Sequence, residues 1–193
     1  MAQTNGPALH QRRILPLDRE WRFAKTDNDA AREVRFDDSG WRVLDLPHDW
    51  SIEEPFDPDM ENGGSQGYLP RRCTAWYRRR FRLGAELRGK RIAVEFDGVH
   101  NYSDVWINGV HLGHRPYGYV GFQYDLTPYL VWDGENVIAV KVDNTRPLTD
   151  RWYSGSGIYR HVRLIATEPL HVRHWGTFVT TPQVSAEQAE VRI

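Results

Sequence analysis

The chain has 193 residues, the length of one ordinary domain with little to spare. Hydrophobic residues make up 40% and charged residues 26%, and 25 basic against 26 acidic side chains leave a formal charge of -1. This balance lacks the basic excess of nucleic-acid binders and polybasic membrane anchors, so we expect neither a nucleic acid nor a membrane as a partner.

Cys73 is the only cysteine, so neither an intrachain disulfide nor a four-cysteine zinc site can form. No apolar run reaches the ~18 residues of a transmembrane helix. Residues 1–6 lack the apolar stretch of a signal peptide. The expected location is therefore the cytoplasm, or the periplasm or exterior if a signal was removed, and the sequence leaves these open.

Short stretches of alternating hydrophobic and polar residues recur along the chain, as is typical of β-strands. In chain order they lie at residues 21–24, 41–46, 75–83, 90–97, 103–107, 110–112, 121–126, 135–143 and 158–165. Only residues 30–34 and 127–130 favour a helix, of one or two turns each. Many short strands separated by Gly, Pro, Asn and Asp predict an all-β sandwich or jelly roll.

Two of these stretches carry more specific predictions. Asn108-Gly109 stands between two alternating runs and predicts a two-residue hairpin turn, because a type I′ turn requires positive φ at both positions. Val105 and Ile107 then face one side of the sheet and Trp106 the other. Residues 75–83 indicate a strand with one very polar face, on which Trp76, Arg78 and Arg80 lie opposite Tyr77, Arg79 and Phe81.

Residues 47–70 are rich in proline, glycine and acidic residues and show no periodicity, so we expect a long loop with a function. Pro169 follows the last strand of the sandwich, and two further strands are expected at residues 177–180 and 189–193. We expect these strands to begin a second β domain that the chain does not complete.

Simple catalytic and metal motifs are absent from the sequence. It contains neither a Gly-x-Ser-x-Gly nucleophile turn nor a phosphate-binding loop with Gly-Lys-Ser/Thr. His111 and His114 are spaced too closely for the helical zinc motif and lie just past the hairpin. We therefore expect no metal site; a monovalent or divalent cation near a sugar site is compatible with the sequence but not indicated by it.

Two segments remain as candidate sites. In Leu46-Pro47-His48-Asp49-Trp50, the polar residues either make local turn bonds while Trp50 packs into the core, or Asp49 and Trp50 bind substrate. In the segment from Asp150 to Arg160, Asp150, Trp152 and Tyr153 precede a glycine-rich turn. A carboxylate beside aromatic rings suits a sugar, whose hydroxyls donate to the acid and whose C–H face packs on the ring; alternatively, Asp150 only pairs with a neighbouring arginine.

The sequence around these segments resembles the N-terminal sugar-binding domain of glycoside hydrolase family 2, most closely its β-galactosidase branch. The matching text occurs in the family's order: Phe36-Asp37-Asp38-Ser39-Gly40-Trp41-Arg42, Leu46-Pro47-His48-Asp49-Trp50-Ser51-Ile52, Trp76-Tyr77-Arg78, Phe96-Asp97-Gly98-Val99, Val105-Trp106-Ile107-Asn108-Gly109, Pro116-Tyr117-Gly118-Tyr119, Tyr124-Asp125-Leu126-Thr127-Pro128-Tyr129-Leu130, Asn136-Val137-Ile138-Ala139-Val140 and Trp152-Tyr153-Ser154-Gly155-Ser156-Gly157-Ile158-Tyr159-Arg160. Each piece is weak alone, and together they are specific.

The resemblance implies a tail at residues 1–12, a galactose-binding-domain-like jelly roll at 13–168, and the first strands of an immunoglobulin-like domain at 169–193. A TIM barrel carrying both catalytic glutamates of a retaining glycosidase would follow, so none of the catalytic residues lies in this chain. The chain would form part of the pocket wall, with Asp150 touching the hydroxyls of the terminal sugar, and the chain alone would be inactive.

The implied substrate is a terminal β-galactoside or a related saccharide, and the implied partners are the missing C-terminal domains and further copies of the parent in a homo-oligomer. β-Glucuronidase and β-mannosidase domains share this plan and remain open. A stand-alone lectin-like module and a sandwich that only docks the barrel are further alternatives, because jelly rolls serve several roles.

Overall fold

The computed structural model describes residues 12–60, 64, 67–70, 72–146 and 152–193. The described residues form twelve strands: β1 (Arg13–Pro16), β2 (Trp21–Lys25), β3 (Arg42–Leu44), β4 (Thr74–Phe81), β5 (Arg91–Phe96), β6 (Ser103–Ile107), β7 (Val110–Arg115), β8 (Phe122–Asp125), β9 (Asn136–Asp143), β10 (Val162–Thr167), β11 (Thr180–Val184) and β12 (Ala189–Arg192). The helical elements with defined bounds are 3-10 turns at Asp29–Arg32, Trp50–Glu53, Ala85–Leu87 and Thr127–Tyr129. Within the described ranges, no helix has the length and apolar character needed to cross a membrane.

Two antiparallel sheets face each other and form the sandwich, which confirms the all-β jelly-roll prediction. One sheet has the strand order β1-β10-β5-β8 and the other β3-β2-β4-β9-β6-β7. Along β5 and β6, alternate side chains are buried, so period-two alternation in the sequence becomes the inner face of each sheet. Burial of these faces in one apolar core is the main stabilising contribution to the sandwich.

The β6–β7 hairpin has the predicted two-residue turn. Ile107 pairs with Val110, and the two residues between them, Asn108 and Gly109, have φ values of 50° and 82°. Val105 and Ile107 are buried in the core, whereas Trp106 lies on the opposite face and packs against Trp76 at a ring distance of 5.1 Å. The turn thus fixes the register that sends alternate side chains to the two faces.

The polar face expected on β4 is not exposed to solvent. The 3-10 turn Asp29–Arg32 and the segment after it cover this face, so the Arg78 side chain has no accessible surface. Its Nε donates to the Asp38 carboxylate at 2.7 Å, and its guanidinium also donates to the Ala31 carbonyl and lies over the Phe36 ring. Burial lowers the pKa of Arg78, while Asp38 acts in the opposite direction. The alternation was interpreted correctly as a strand, but a buried ion pair has the same sequence pattern as a solvated face.

The last strand of the sandwich begins later than predicted. The pattern at residues 158–165 indicated one strand, but β10 starts at Val162. Ile158 is fully buried, and its carbonyl accepts the His48 N–H at 2.9 Å. Gly157 meanwhile pairs as an isolated bridge with His100. The backbone of this segment is therefore bonded to two loops and not to a neighbouring strand.

Residues 169–193 lie outside both sheets of the sandwich. β11 and β12 pair with each other as an antiparallel hairpin. The first of the two strands predicted here, at 177–180, forms three residues later, at Thr180–Val184, and the second forms as Ala189–Arg192. The assignment of this segment to an immunoglobulin-like domain stays a prediction.

Candidate functional site

Asp49 joins two segments that are far apart in sequence. Its side chain caps the 3-10 turn Trp50–Glu53, with Oδ1 accepting the Ser51 N–H at 3.0 Å. The same oxygen accepts the Ser156 N–H at 3.0 Å, and Oδ2 accepts the hydroxyl of Tyr153. One carboxylate therefore holds the loop that follows β3 against the turn that precedes β10.

A second layer of polar contacts lies beneath this carboxylate. The hydroxyls of Ser51 and Ser156 are 2.7 Å apart, and both serines are fully buried. One residue further on, Gly157 exchanges two backbone hydrogen bonds with His100, at 2.8 and 2.9 Å. A third loop, residues 98–102, is thereby fastened to the same turn. Such buried polar groups are stabilising only when bonded, and here they bond to one another.

Four side chains form a polar relay below the turn, and we call Arg42, Glu53, His48 and Tyr77 by that name hereafter. Arg42 donates to both oxygens of Glu53, with Nη1 2.7 Å from Oε2. Glu53 Oε1 lies 3.3 Å from His48 Nε2, and His48 Nδ1 lies 2.7 Å from the Tyr77 hydroxyl. The contact between Nε2 and Glu53 lacks hydrogen-bond geometry, but the nearby carboxylate favours the tautomer with the proton on Nε2, in which Nδ1 accepts from the Tyr77 hydroxyl.

The relay sets the ionisation of its members. Burial lowers the pKa of His48, although the neighbouring Glu53 raises it, so the imidazole is neutral at neutral pH. The hydrogen bonds from Arg42 lower the pKa of Glu53 to about 2. Burial raises the pKa of Tyr77 well above its usual value, which keeps the hydroxyl protonated as a donor.

Gly157 is the point where the relay meets the turn. Its φ of 101° lies in a region that L side chains rarely adopt. A Cβ atom at this position would overlap the Tyr77 hydroxyl oxygen and would lie 3.2 Å from the His48 carbonyl oxygen. Only glycine allows the turn to pass this close to the relay.

Four aromatic side chains form an exposed surface beside Asp49, which we call the aromatic wall: Tyr117, Tyr119, Trp152 and Tyr153. Tyr117 is 61% exposed and Trp152 57%, while Tyr153 is 38% exposed. The Trp152 indole N–H donates to the Tyr119 hydroxyl at 2.9 Å, which joins residues 116–120 to the glycine-rich turn. Exposed rings with polar edges are suited to binding a sugar, whose C–H faces are apolar and whose hydroxyls are polar.

The structure brings together three of the five predicted site residues. Asp49 and Tyr153 are hydrogen-bonded, and Trp152 adjoins Tyr153 in the wall. Trp50 instead lies in the core with no accessible surface and stacks on Phe23 at 6.0 Å, so it supports the loop from inside and offers no face to a sugar. The prediction for Asp150 falls outside the described residues.

Sequence reasoning missed Tyr117, Tyr119 and His100 as members of this end of the sandwich. The Tyr119 ring lies 5.6 Å from that of Tyr117 and 5.3 Å from that of His100. The sequence does carry one indication of this contact, Gly118, which lies between the two tyrosines. A Cβ at Gly118 would overlap the His100 ring, so the two loops approach closely. Nothing local in the sequence indicates which loop His100 approaches.

The residues with metal-binding side chains are engaged with one another. His111 and His114 lie 2.7 and 2.9 Å from the two carboxylate oxygens of Asp104, on the exposed β6–β7 hairpin. Among the residues that the structure describes, no three His, Cys, Asp or Glu side chains are grouped so that they hold a metal ion.

Comparison with known proteins identifies the family of the sandwich. The family described as "Glycosyl hydrolases family 2, sugar binding domain" matches residues 14–169, which is the sandwich with its loops. The chain belongs to this family. The match ends as the sandwich ends, before β11 and β12.

Relatives of known name and structure extend the comparison. A β-galactosidase of Bacteroides ovatus is 51% identical over 100% of this chain and 22% of its own length. A putative β-glucuronidase of Formosa agariphila is 38% identical over 95% of this chain and 18% of its own. The crystal structure of a β-glycosidase from Bacteroides vulgatus has a TM-score of 0.83 and 40% identity, covering 93% of this chain and 24% of that one. This chain therefore spans about a fifth of the curated relatives' length.

Proposed function

We propose that this chain is the N-terminal domain of a retaining glycosidase that hydrolyses terminal β-galactosides, and that it supplies one wall of the substrate pocket. The observation that supports this best is the aromatic wall beside the Asp49 carboxylate, in a domain of the sugar-binding family. The catalytic nucleophile and acid/base are two glutamates of a barrel domain that follows in the parent protein. The reaction needs no cofactor in this proposal.

The galactoside assignment rests on the higher identity to a named β-galactosidase, 51%, against 38% for the putative β-glucuronidase. A β-glucuronide is the second candidate substrate, because relatives with that name also match nearly the whole chain. The two sugars differ at C6, where a glucuronide carries a carboxylate. The comparison of the two substrates is therefore the deciding measurement.

The partners in this proposal are the remaining domains of the same polypeptide, and the parent is a homo-oligomer. Residues 169–193 expose large apolar side chains, among them Leu170, Trp175 and Phe178, at 94%, 73% and 80%. A two-stranded hairpin alone is marginally stable in water, so these side chains need a covering surface. A following immunoglobulin-like domain that incorporates β11 and β12 supplies it.

The proposal is tested on the full-length parent with chromogenic β-galactoside and β-glucuronide substrates. We expect a larger kcat/KM for the galactoside, and a raised KM in the Trp152→Ala variant. Asp150→Asn, which follows from the resemblance, is expected to lower kcat/KM by about one to two decades, since a hydrogen bond to a charged group contributes roughly 1.5–3 kcal/mol.

Three results would contradict parts of this proposal. A larger kcat/KM for the glucuronide would make a β-glucuronide the substrate in place of a β-galactoside. An unchanged KM in Trp152→Ala would show that the aromatic wall does not line the substrate pocket. Turnover by the purified 193-residue chain alone would show that catalysis does not require another domain.

A further inference from the structure

We infer that Tyr77 and His48 are positioning residues of the sugar pocket: through Gly157, the polar relay sets the place of the turn that carries Trp152 and Tyr153. This inference rests on the proposed function, because it assigns the relay's effect to substrate binding. Neither residue is exposed, and neither touches the substrate. Their action passes through the backbone of the turn.

The relay is continuous from the surface to the turn. Arg42 and Glu53 are partly exposed and pair through two hydrogen bonds, which fixes the outer end. Tyr77 is fully buried at the inner end, with its hydroxyl donating to His48. The hydrogen bond to His48 and the complete burial of the ring hold the hydroxyl oxygen of Tyr77 in place.

That oxygen limits how closely the turn can approach the core. The Gly157 Cα lies against it so tightly that no Cβ fits. On the other side, the two backbone bonds to His100 keep the turn from moving away. Gly157 is thus held between a fixed oxygen atom and a fixed loop.

Only a few residues separate Gly157 from the wall. Between them, Ser156 is bonded through its N–H to Asp49 and through its hydroxyl to Ser51. A displacement of Gly157 is therefore transmitted to Tyr153, which is bonded to the same Asp49 carboxylate, and to its neighbour Trp152.

Packing of the core does not by itself require the hydrogen-bonded pair of Tyr77 and His48. The ring of Tyr77 already packs against Phe23, at a centroid distance of 4.9 Å. A phenylalanine would keep this contact and avoid burying a hydroxyl, and burying a polar group is costly unless it is bonded. Tyr77→Phe therefore removes the relay's last hydrogen bond while leaving the apolar contacts of the ring intact.

The experiment uses the full-length parent enzyme and compares Tyr77→Phe with wild type and with Ile92→Val. Ile92 is buried in the other sheet, at the end of β5 remote from residues 98–102, so its variant loses stability without touching the relay. KM and kcat for a chromogenic β-galactoside are measured well below the melting temperature. Amide hydrogen exchange is followed in the peptide covering residues 152–158.

For Tyr77→Phe we expect KM to rise roughly three- to tenfold with kcat within about twofold, since a lost hydrogen bond of ordinary strength corresponds to such a factor. Exchange in residues 152–158 is expected to rise in the same variant. Ile92→Val should change neither. A merely structural role would lower the folded fraction, and so the apparent kcat, but would leave KM unchanged.

The outcomes separate this inference from the proposed function. If Trp152→Ala raises KM but Tyr77→Phe changes neither KM nor exchange, the relay does not position the wall and the inference is overturned. If exchange rises in Tyr77→Phe but KM is unchanged in both variants, the wall does not bind substrate and both proposals fail. If Tyr77→Phe does not fold, Glu53→Gln, which weakens the relay at its exposed end, is measured against the same expectations.

Discussion

The candidate site has a buried part and an exposed part, and their side chains are held in different ways. The inner half of the polar relay, His48 and Tyr77, and the serine pair beneath the turn are buried, and the members of each pair are hydrogen-bonded to each other. The aromatic wall, in contrast, is largely exposed, and the Trp152 indole N–H donates to the Tyr119 hydroxyl within it. Residues of the same chemical type, such as Trp50 and Trp152, therefore do different work depending on the part in which they lie.

This difference separates stability from binding. If both proposals hold, changes in the buried part should alter the free energy of unfolding and the place of the wall, whereas changes in the exposed part should act mainly on binding. The distinction can be tested with pairs of variants that make the same chemical change in each part. The largest difference is expected between the two tryptophans, Trp50 and Trp152.

Removal of each tryptophan is the most direct comparison. Trp50→Ala should lower the free energy of unfolding by about 3–5 kcal/mol, because it leaves a large cavity in the core. Trp152→Ala should lower it by less than about 1 kcal/mol, because the ring is mainly in solvent. Urea unfolding of the two variants measures both values, and equal losses would show that the wall is part of the core.

Gly157 and Gly89 both have positive φ, so comparing them separates the energetic cost of backbone strain from that of steric overlap. Gly157→Ala should cost about 2–5 kcal/mol, since it forces an L residue to positive φ and places a methyl group on the Tyr77 hydroxyl. Gly89 has a similar φ, 81° against 101°, but nothing lies within 4 Å of its Cβ position. Gly89→Ala should therefore cost only about 1–2 kcal/mol. Similar losses in both, measured by thermal unfolding, would remove the argument for close approach at Gly157.

The sequence predicted the architecture because the sheets depend on local patterns. Alternation located strands such as β5 and β9, and the Asn108-Gly109 pair specified its turn. Ile158 shows where the same reasoning fails. Its apolar side chain continues the alternation, but its backbone bonds to the His48 loop, a contact that no local pattern encodes.

The site was predictable only in part for the same reason. Asp49, Trp152 and Tyr153 were chosen because a carboxylate and aromatic rings beside a glycine-rich turn have a chemical rationale; the structure brings them together, and their role in binding stays a prediction. Trp50 was misassigned, since the sequence does not distinguish a ring that faces inward from one that faces solvent. The role of Tyr77 depends on His48, 29 residues away, and such a pairing follows from the fold alone.

Lowering the pH should reduce the free energy of unfolding through His48 and Glu53, each over its own pH range. The pKa of His48 lies below its usual value of 6.5 in the fold, so the unfolded chain binds a proton first as the pH falls below 6.5, and stability decreases. The pKa of Glu53 is about 2 in the fold against 4.5 ordinarily, so its contribution, complete above pH 4.5, is lost between pH 4.5 and 2. Arg42 and Asp49 also act on His48, in opposite directions.

His48 therefore predicts that the urea midpoint begins to fall as the pH drops below 6.5, and Glu53 predicts a further fall below pH 4.5. In His48→Gln the part of the decrease between pH 7 and 5 should be smaller, because the titrating group is absent. The difference between the two pH profiles is the measured quantity. Parallel profiles for the two proteins would mean that other groups cause the pH dependence.

The smallest effect is expected from one hydroxyl of the wall. Tyr119→Phe removes the acceptor of the Trp152 indole N–H and leaves both rings in place. Because this bond lies at the surface, where water replaces it, stability should change by less than about 0.5 kcal/mol. Trp152 nevertheless loses the bond that fixes its ring, so KM of the full-length enzyme should rise roughly two- to threefold.

The control for this variant is Tyr129→Phe. Tyr129 is also an exposed tyrosine, but it lies beside the Asn108-Gly109 hairpin, at the opposite end of β6 from residues 98–102. Its variant should leave both KM and the free energy of unfolding unchanged. If Tyr119→Phe instead lowers stability by as much as a core substitution, the wall is rigidly supported. The separation between a supporting buried part and a contacting exposed part would then fail at the residue that joins the two loops of the wall.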